Sequence, residues 1–216
     1  EGAREQVSPV ADRKVMRADA VTPGRPDSWA GRTEMTLYEG MTHLSESAAI
    51  NVKNRSHTIT ATFATTTDDA TGPLIVQGGR FGGWALYLDQ GKPAYANNWV
   101  NQEIYRVVAG TPLPAGSHTL RCEFSYDGGG VGKGGSVTLL VDGEPVAAGR
   151  VENTCGYLYS FGDTMDVGID DGPRVVDDYA TQGGRFEGTI DVITINVDPQ
   201  HHHDPEGMLR AVMGRQ

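Results

Sequence analysis

The feature that most constrains the fold is a pair of short apolar runs joined by a glycine-rich link in residues 74–89, LIVQGGRFGGWALYLD. From Trp84 to Asp89 the side chains alternate with a period of two, which is typical of a strand with one buried face. Glycine permits positive φ, so the link 78–83 can reverse the chain tightly. The stretch therefore predicts a β-hairpin whose tip exposes Arg80 and Phe81. A phosphate-binding loop is the alternative, but it needs a helix after the glycines, and a strand follows here.

Similar short alternating runs recur along the chain and predict an all-β protein. The clearest are His57–Phe63 and Ser117–Tyr126, while Asp142-Gly143 predicts a two-residue hairpin turn. The other predicted strands are Thr33–Tyr38, Lys92–Asn98, Glu103–Val108, Ser136–Val141, Glu144–Val151, Tyr157–Phe161, Met165–Val167 and Gly188–Val197. Roughly ten to twelve short strands, with turns at regular spacing and no long helical pattern, indicate an antiparallel β-sandwich.

The last predicted strand should contain an irregularity. Its outer face begins with the polar residues Thr189 and Asp191, yet Ile193 and Ile195 continue the same parity with apolar side chains. Since successive side chains of a strand point to opposite faces, the apolar set must change face part-way along. This change near Val192 predicts a β-bulge.

Three regions are predicted along the chain. Residues 1–31 mix charges with prolines and are predicted to be an irregular lead-in, with a short helical turn at Asp12–Ala18. Residues 32–198 are predicted to form one sandwich, because they contain no internal repeat and no linker. Residues 199–216 are predicted to be a short tail with a frayed terminal helix. The chain starts at Glu1 without an initiator Met or a signal peptide, so we expect a processed chain or a fragment.

Charge and cysteine content narrow the function classes. The chain has 28 acidic and 18 basic residues and a net charge of −10, which argues against a nucleic-acid partner. No apolar run approaches the length that spans a membrane. Cys122 lies in an alternating strand and is predicted to be a small core residue, with a disulfide to Cys155 as an open alternative. Periplasmic, extracellular and cytoplasmic locations, and monomers or homo-oligomers, all fit this composition.

The densest polar feature is an acidic stretch interspersed with glycines, which begins at Asp163. Calcium takes about six to eight oxygen ligands, and loops rich in Asp and Gly supply them. The candidate calcium ligands are Asp166, Asp170, Asp171, Asp177 and Asp178. Their spacing matches no EF-hand, so the competing interpretation is a solvated acidic loop.

No catalytic constellation is evident in the sequence. His57 and His118 lie in predicted strands without a nearby nucleophile and acid, and are predicted to be core or edge residues. The run His201–His203 has ligands suited to a transition metal, although adjacent histidines in a tail more often bind metal adventitiously. No serine lies in a G-x-S-x-G turn, and neither cysteine has an activating context. Enzyme activity of this chain by itself is therefore not predicted.

Aromatic side chains are the remaining candidates for a binding surface. The candidate aromatics are Tyr38, Phe81, Tyr95, Trp99, Tyr105 and Tyr126. Most aromatics of a sandwich are buried, but an exposed set beside asparagines would suit sugar stacking. The predicted ligand or interface residues are Arg80, Phe81, Trp99, Asn97 and Asn98. The sequon Asn54-Arg55-Ser56 matters only if the chain passes through a eukaryotic secretory route.

Six blocks, in order along the chain, carry a resemblance to a known family. They are Val7–Arg13, Gly40–Thr42, Asn51–Ala61, Val76–Trp84, Tyr126–Gly135 and Phe161–Gly168. Together they resemble the region that follows the catalytic module of bacterial-type arylsulfatases, and the resemblance covers almost the whole chain. It implies a concanavalin A-like or laminin G-like sandwich, a jelly roll, that packs against a sulfatase module in cis and supports it.

The catalytic motif of that family is absent from this chain. Sulfatases of this type use a formylglycine made from a C/S-x-P-x-R motif, together with a calcium ion. Here Cys122 is followed by Glu-Phe-Ser and Cys155 by Gly-Tyr-Leu, so no catalytic residue of the family can be transferred. We expect the chain alone not to hydrolyse sulfate esters. The alternatives are a stand-alone, lectin-like module that binds carbohydrate, and a purely structural oligomerisation domain.

Overall fold

The computed structural model describes residues 31–159, 162–179, 183–200, 202–207 and 210, and residues 31–203 form one compact unit. The described residues of this unit form eleven β-strands joined by turns and irregular segments. They are β1 (Glu34–Leu37), β2 (His57–Thr65), β3 (Gly72–Gly79), β4 (Gly82–Asp89), β5 (Lys92–Trp99), β6 (Glu103–Val108), β7 (Gly116–Tyr126), β8 (Lys133–Val141), β9 (Glu144–Asn153), β10 (Met165–Val167) and β11 (Thr189–Val197).

The strands form two antiparallel sheets. The six-stranded sheet has the order β1-β11-β2-β7-β8-β9, and the five-stranded sheet has the order β10-β3-β4-β5-β6. Side chains from both sheets meet between them, for example His57 and Phe124 from the first and Trp84 and Tyr95 from the second. The prediction of an all-β antiparallel sandwich is confirmed.

The six-stranded sheet buries only its inner face. In β2, residues 57, 59, 61, 63 and 65 are buried, and the residues between them are partly exposed. In β7 the buried residues are Leu120, Cys122 and Phe124, which lie opposite Ala61, Ile59 and His57. The alternation predicted for these two strands is confirmed, and the apolar parity accounts for the register.

Four strands of the five-stranded sheet, β3, β4, β5 and β10, are buried on both faces, and only the edge strand β6 has an exposed face. Every residue of β4 from Gly82 to Leu88 is buried, including the parity of Ala85 and Tyr87 that was expected to face solvent. This outer parity packs beneath residues 170–179, a segment we call the strap, which contributes Val175, Val176 and Tyr179 to a shared apolar cluster. The prediction of a single buried face for β4 is therefore wrong, because the chain itself covers the second face.

The predicted hairpin is confirmed with a shorter turn than expected. Gly78 pairs with Gly83 and Gly79 with Gly82, so the glycines belong to the strands and only Arg80 and Phe81 form the turn. A Cβ atom on Gly79 would lie 2.4 Å from Asp163 Oδ2 and from the carbonyl oxygen of Pro173. The glycines therefore allow neighbouring segments to approach the hairpin closely.

Two local predictions are confirmed and one is wrong. Asp142 and Gly143 both have positive φ, 51° and 91°, in the turn between β8 and β9, as two-residue hairpins prefer. The register of β11 shifts between Ile190 and Val192, which is the predicted bulge. The predicted strand Tyr157–Phe161 is absent from its described part, 157–159. There Tyr159 is buried, with the Lys53 ammonium 4.8 Å from its ring centroid.

The remaining predictions concern the cysteines and the two ends of the chain. Cys122 and Cys155 are both buried, and neither is in a disulfide, so the disulfide alternative is not formed. The predicted helical turn at Asp12–Ala18 and the apolar end of the tail lie outside the described residues. In the tail, residues 205–207 form a helical turn, where the Gly207 amide donates to Asp204 Oδ1 at 2.9 Å. No helix of the described residues is both long and apolar enough to cross a lipid bilayer.

Candidate functional site

Two turns lie side by side at one end of the five-stranded sheet. The β3–β4 turn carries Arg80 and Phe81, and the β5–β6 turn follows Trp99, since Gly83 pairs with Asn98. We call Arg80, Phe81, Trp99 and the turn 100–102 the aromatic rim. Phe81 is 62% exposed, the largest value for any big apolar side chain among the described residues. The rim therefore presents an aromatic ring and a guanidinium group to solvent.

The Arg80-Phe81 tip is fixed through its backbone. The Arg80 amide donates to the carbonyl of Pro173 at 3.0 Å, and the Arg80 carbonyl accepts from Asn98 Nδ2 at 3.1 Å. The guanidinium of Arg80, in contrast, has no hydrogen-bond or ion-pair partner among the described residues. The tip therefore combines a fixed backbone with a side chain that is free to bind a ligand.

Asn98 lies beneath the rim and connects its parts. Its side chain is only 1% exposed, and Nδ2 also donates to the carbonyl of Val175 in the strap at 2.9 Å. Asn98 Oδ1 accepts from the Asn101 amide at 2.8 Å in the neighbouring turn. One buried amide thus joins the two turns to the strap. The sequence suggested Asn98 as a ligand residue, but the structure places it as a support for the rim.

Asn97 is also buried, on the opposite side of β5. Its Nδ2 lies 3.4 Å from the Tyr95 hydroxyl, and its Oδ1 has no partner among the described residues. Because neighbouring residues of a strand point to opposite faces, Asn97 points between the sheets while Asn98 points toward the strap. Of the five predicted ligand residues, the structure brings Arg80, Phe81 and Trp99 to the surface.

The β5–β6 turn is strained. Val100 has φ of 47° and Asn101 has φ of 58°, both in the left-handed region. Asn tolerates this region, but for a β-branched residue such as Val it is a true outlier that costs about 1–3 kcal/mol. Two hydrogen bonds hold the turn: the Asn101 amide donates to Asn98 Oδ1, and the Gln102 amide donates to the Trp99 carbonyl at 2.9 Å. Strain of this kind clusters at binding surfaces.

The acidic residues suggested as calcium ligands are not gathered at one point. Asp166 is buried and accepts from the His43 amide and the Thr164 hydroxyl, each at 2.6 Å. Asp171 and Asp177 are exposed. Among the described residues, no group of three or more His, Cys, Asp or Glu side chains is arranged to hold a metal ion. These contacts give the calcium hypothesis no support.

The remaining two of these acids, Asp170 and Asp178, hold the strap in place. Asp170 is 4% exposed and accepts from the Tyr179 hydroxyl at 2.7 Å, and burial raises its pKa. Asp178 accepts two bonds from Arg106, at 2.8 and 2.9 Å, and one from the Tyr87 hydroxyl at 2.5 Å. Burial opposes ionisation of Asp178, but the bonds from Arg106 and Tyr87 lower its pKa below the usual value. Both carboxylates serve the fold, and no sequence pattern identified their partners.

A polar groove of about 730 Å³ lies at the opposite end of the sandwich from the rim. It is lined by Thr66, Thr67, Asp69, Thr71, Gln90, Glu187 and Gly188. Hydrogen bonds join the residues that line it: Glu187 Oε2 accepts from the Thr71 amide at 2.9 Å, and the Thr71 hydroxyl accepts from the Gln90 amide at 3.0 Å. Its two carboxylates make this end of the molecule acidic, and no sequence motif indicated the groove.

His57 and the asparagine of the sequon have structural roles. His57 is buried against Phe124, with ring centroids 5.0 Å apart, and burial lowers its pKa to about 4. Asn54 Nδ2 donates to the Gly156 carbonyl at 2.6 Å, and Asn54 Oδ1 accepts from the Gly132 amide at 2.9 Å. In the folded chain the Asn54 amide is therefore engaged and buried, not presented for glycosylation.

No family model matches the sequence, and no curated protein matches it. Among solved structures, mouse laminin α1 domains LG4-5 align with 81% of this chain and 41% of theirs, at 14% identity and a TM-score of 0.47. The carbohydrate-binding module of a Ruminococcus gnavus sialidase aligns over 82% and 95%, at 19% identity and 0.48. A pentraxin from Limulus polyphemus aligns over 83% and 82%, at 15% and 0.39. None of these three is a sulfatase, and similarity at this level assigns no ligand or activity to the chain.

Proposed function

We propose that this chain is a non-catalytic carbohydrate-binding domain whose ligand surface is the aromatic rim. The observation that carries the proposal is Phe81, 62% exposed on a turn whose backbone is bonded on both sides. An exposed ring on a soluble surface loses contact with water when it stacks on the apolar face of a sugar. Because the ring has few rotamers and its backbone is fixed, little conformational entropy is lost on binding.

The location of the site follows from what covers the sheets. A sheet face is the other natural surface for a glycan, but the strap fills the outer face of the five-stranded sheet. The outer face of the six-stranded sheet is open, and its central strands β2 and β7 present threonines and charged residues there, without an aromatic ring. Trp99 is partly exposed at the end of β5 and lies next to the strained turn. Phe81 and Trp99 therefore offer two aromatic surfaces at one end of the sandwich, where a short glycan can contact both.

A pair of matched substitutions tests this proposal. Tyr38 is 56% exposed and lies beside β1 in the other sheet, so it is a control for the loss of an exposed aromatic ring. We expect the wild-type chain to bind members of a glycan array. For the strongest of these, isothermal titration calorimetry should show binding at least about tenfold weaker for Phe81→Ala and unchanged for Tyr38→Ala. Equal binding by wild type and Phe81→Ala would contradict the proposal.

A second candidate function is support of a sulfatase module in cis. The blocks that resemble arylsulfatases include Val76–Trp84, which supplies the Arg80-Phe81 tip, so the same tip would be an anchor on that module. Reading the coding sequence upstream of residue 1 for a C/S-x-P-x-R motif tests the origin of the chain. In such a parent, amide exchange at the turn 80–81 should slow when the module is attached. Unchanged exchange would favour a free ligand surface.

A further inference from the structure

We infer that the rim selects acidic sugars, which carry a carboxylate or a sulfate group, and that Arg80 is the residue that recognises the acid. This inference rests on the proposed glycan-binding function and specifies its ligand. Arg80 and Phe81 are the two residues of one turn and are both exposed, so the long side chain of Arg80 can reach a sugar that contacts the neighbouring ring. The tip thus combines an apolar platform with one positive charge.

Three other arginines are engaged by carboxylates of the chain itself. Arg106 is paired with Asp178, Arg121 with Glu123, and Arg150 with Asp127. Arg80 and Arg185 are both exposed and have no ion-pair partner among the described residues, but Arg80 lies next to an exposed ring, whereas the ring that follows Arg185, Phe186, packs against Phe63. The guanidinium group of Arg80 therefore retains its full hydrogen-bonding capacity for a ligand.

Guanidinium chemistry suits this class of ligand. The planar fork of an arginine donates two parallel hydrogen bonds to a carboxylate or a sulfate-like anion, and such charge-assisted bonds are stronger than neutral ones. A neutral hydroxyl accepts only single bonds from the same group and lacks the attraction between two opposite full charges. Arg80 is therefore expected to discriminate between acidic and neutral sugars of the same length.

The charge of the remaining surface limits the size of the ligand. The groove at the other end of the sandwich carries Asp69 and Glu187, and the net charge of −10 repels extended polyanions. A long acidic polymer would need a row of basic residues, and the rim as defined contains one, Arg80. The expected ligand is accordingly a short glycan, or the acidic end of a longer one.

The test uses three tetrasaccharide probes of equal length, one with uronic acids, one sulfated and one neutral. Binding of each is measured by calorimetry to the full chain, to Arg80→Gln and Arg80→Lys, and to Arg185→Gln as the control. Arg185 is exposed and also lacks a partner among the described residues, but it lies near the start of β3, at the other end of the sheet.

We expect at least one acidic probe to bind at least tenfold more tightly than the neutral probe. Arg80→Gln should remove this difference, Arg80→Lys should restore part of it, and Arg185→Gln should leave it unchanged. The acidic probe that binds distinguishes carboxylate from sulfate. Equal binding of all three probes, still sensitive to Phe81→Ala, would overturn the acid specificity and leave the proposed function standing. Absence of binding by all three, with no binder on the glycan array, would overturn both.

Discussion

The two sheets of the sandwich differ in what covers their outer faces. The six-stranded sheet has threonines and charged residues on its outer face, such as Thr58 and Thr60 in β2, and these are partly exposed. The five-stranded sheet has Val76, Ala85 and Tyr87 on its outer face, and all three are buried under the strap. One sheet has a solvated face, whereas the other is in effect the middle layer of three.

This difference limits where the five-stranded sheet could contact the ligand of the proposed function. The face of the five-stranded sheet is filled by Val175, Val176 and Tyr179, so its exposed parts are its ends. The same cover supports the rim, since the strap bonds to Arg80 through Pro173 and to Asn98 through Val175. The strap thus closes one surface and orders another, and the predictions below test how far the two sheets differ.

The largest expected effect is the loss of the strap's central aromatic residue. Tyr179 is fully buried, contacts Tyr87 edge-on at 5.2 Å between ring centroids, and donates to Asp170. Tyr179→Ala removes a buried ring and leaves a buried carboxyl without this donor, so we expect a loss of about 3–5 kcal/mol in the free energy of unfolding. Urea denaturation measures it.

Two further variants sharpen this test. Tyr179→Phe keeps the ring and removes only the hydroxyl, and should cost about 1–3 kcal/mol because Asp170 loses its donor. Tyr38→Ala makes the same change at a ring that is 56% exposed, and should alter stability by at most about 0.5 kcal/mol. Similar losses for Tyr179→Ala and Tyr38→Ala would mean that the strap does not form a third layer.

The second prediction concerns the inner face that both sheets share. Burial holds the pKa of His57 at about 4, below its usual 6.5. The unfolded chain therefore binds a proton at His57 that the folded chain excludes, and the associated stability is complete above about pH 6.5 and is lost as the pH falls toward 4. From pH 7 to pH 5 this loss amounts to about 2 kcal/mol.

A comparison of two histidines isolates this effect. Burial favours the neutral form of His118, but the bonds of its ring to Asp142 and to the Pro114 carbonyl outweigh burial and raise the pKa of His118. The protonated His118 therefore stabilises the folded chain at acidic pH, and this stabilisation is lost as the pH rises through the raised pKa. Urea denaturation at pH 5 and pH 7 should show a smaller loss on acidification for His57→Leu than for wild type. His118→Gln should show a larger loss. The same pH dependence in all three proteins would exclude a buried neutral His57.

The sequence predicts one sheet better than the other. Strict alternation of apolar and polar residues identifies β2 and β7 and their inward-facing residues, because each of these strands has one face exposed to solvent. In β4 the same alternation separates the two parities correctly but cannot show that both are buried. A tyrosine such as Tyr87 is found both on solvated and on buried sheet faces, so its position in the sequence does not distinguish the two. It is buried here because the strap covers this face. The strap itself shows no periodic pattern of apolar residues. It is held by long-range contacts such as the ion pair of Asp178 with Arg106, which are 72 positions apart in the sequence.

In the candidate site, too, the sequence predicts some residues and not others. Arg80 and Phe81 are predictable because a two-residue turn must expose its side chains, whatever the rest of the fold. Asn97 and Asn98 look equivalent in sequence, and both are buried for reasons that depend on long-range contacts. Asn98 bonds to Val175, 77 positions away. Local turn chemistry therefore identifies what the rim presents, while the residues that support it require the tertiary structure.

The smallest expected effect is a gain in stability at the rim. Val100 is held at φ of 47°, a conformation that Asn adopts with little cost. Val100→Asn should therefore raise the free energy of unfolding by about 1 kcal/mol, whereas Val108→Asn, on the exposed edge strand β6, should not raise it. If strain in this turn maintains the ligand geometry, Val100→Asn should also weaken glycan binding while it stabilises the fold. A stabilised variant with unchanged binding would show that the strain serves only the turn.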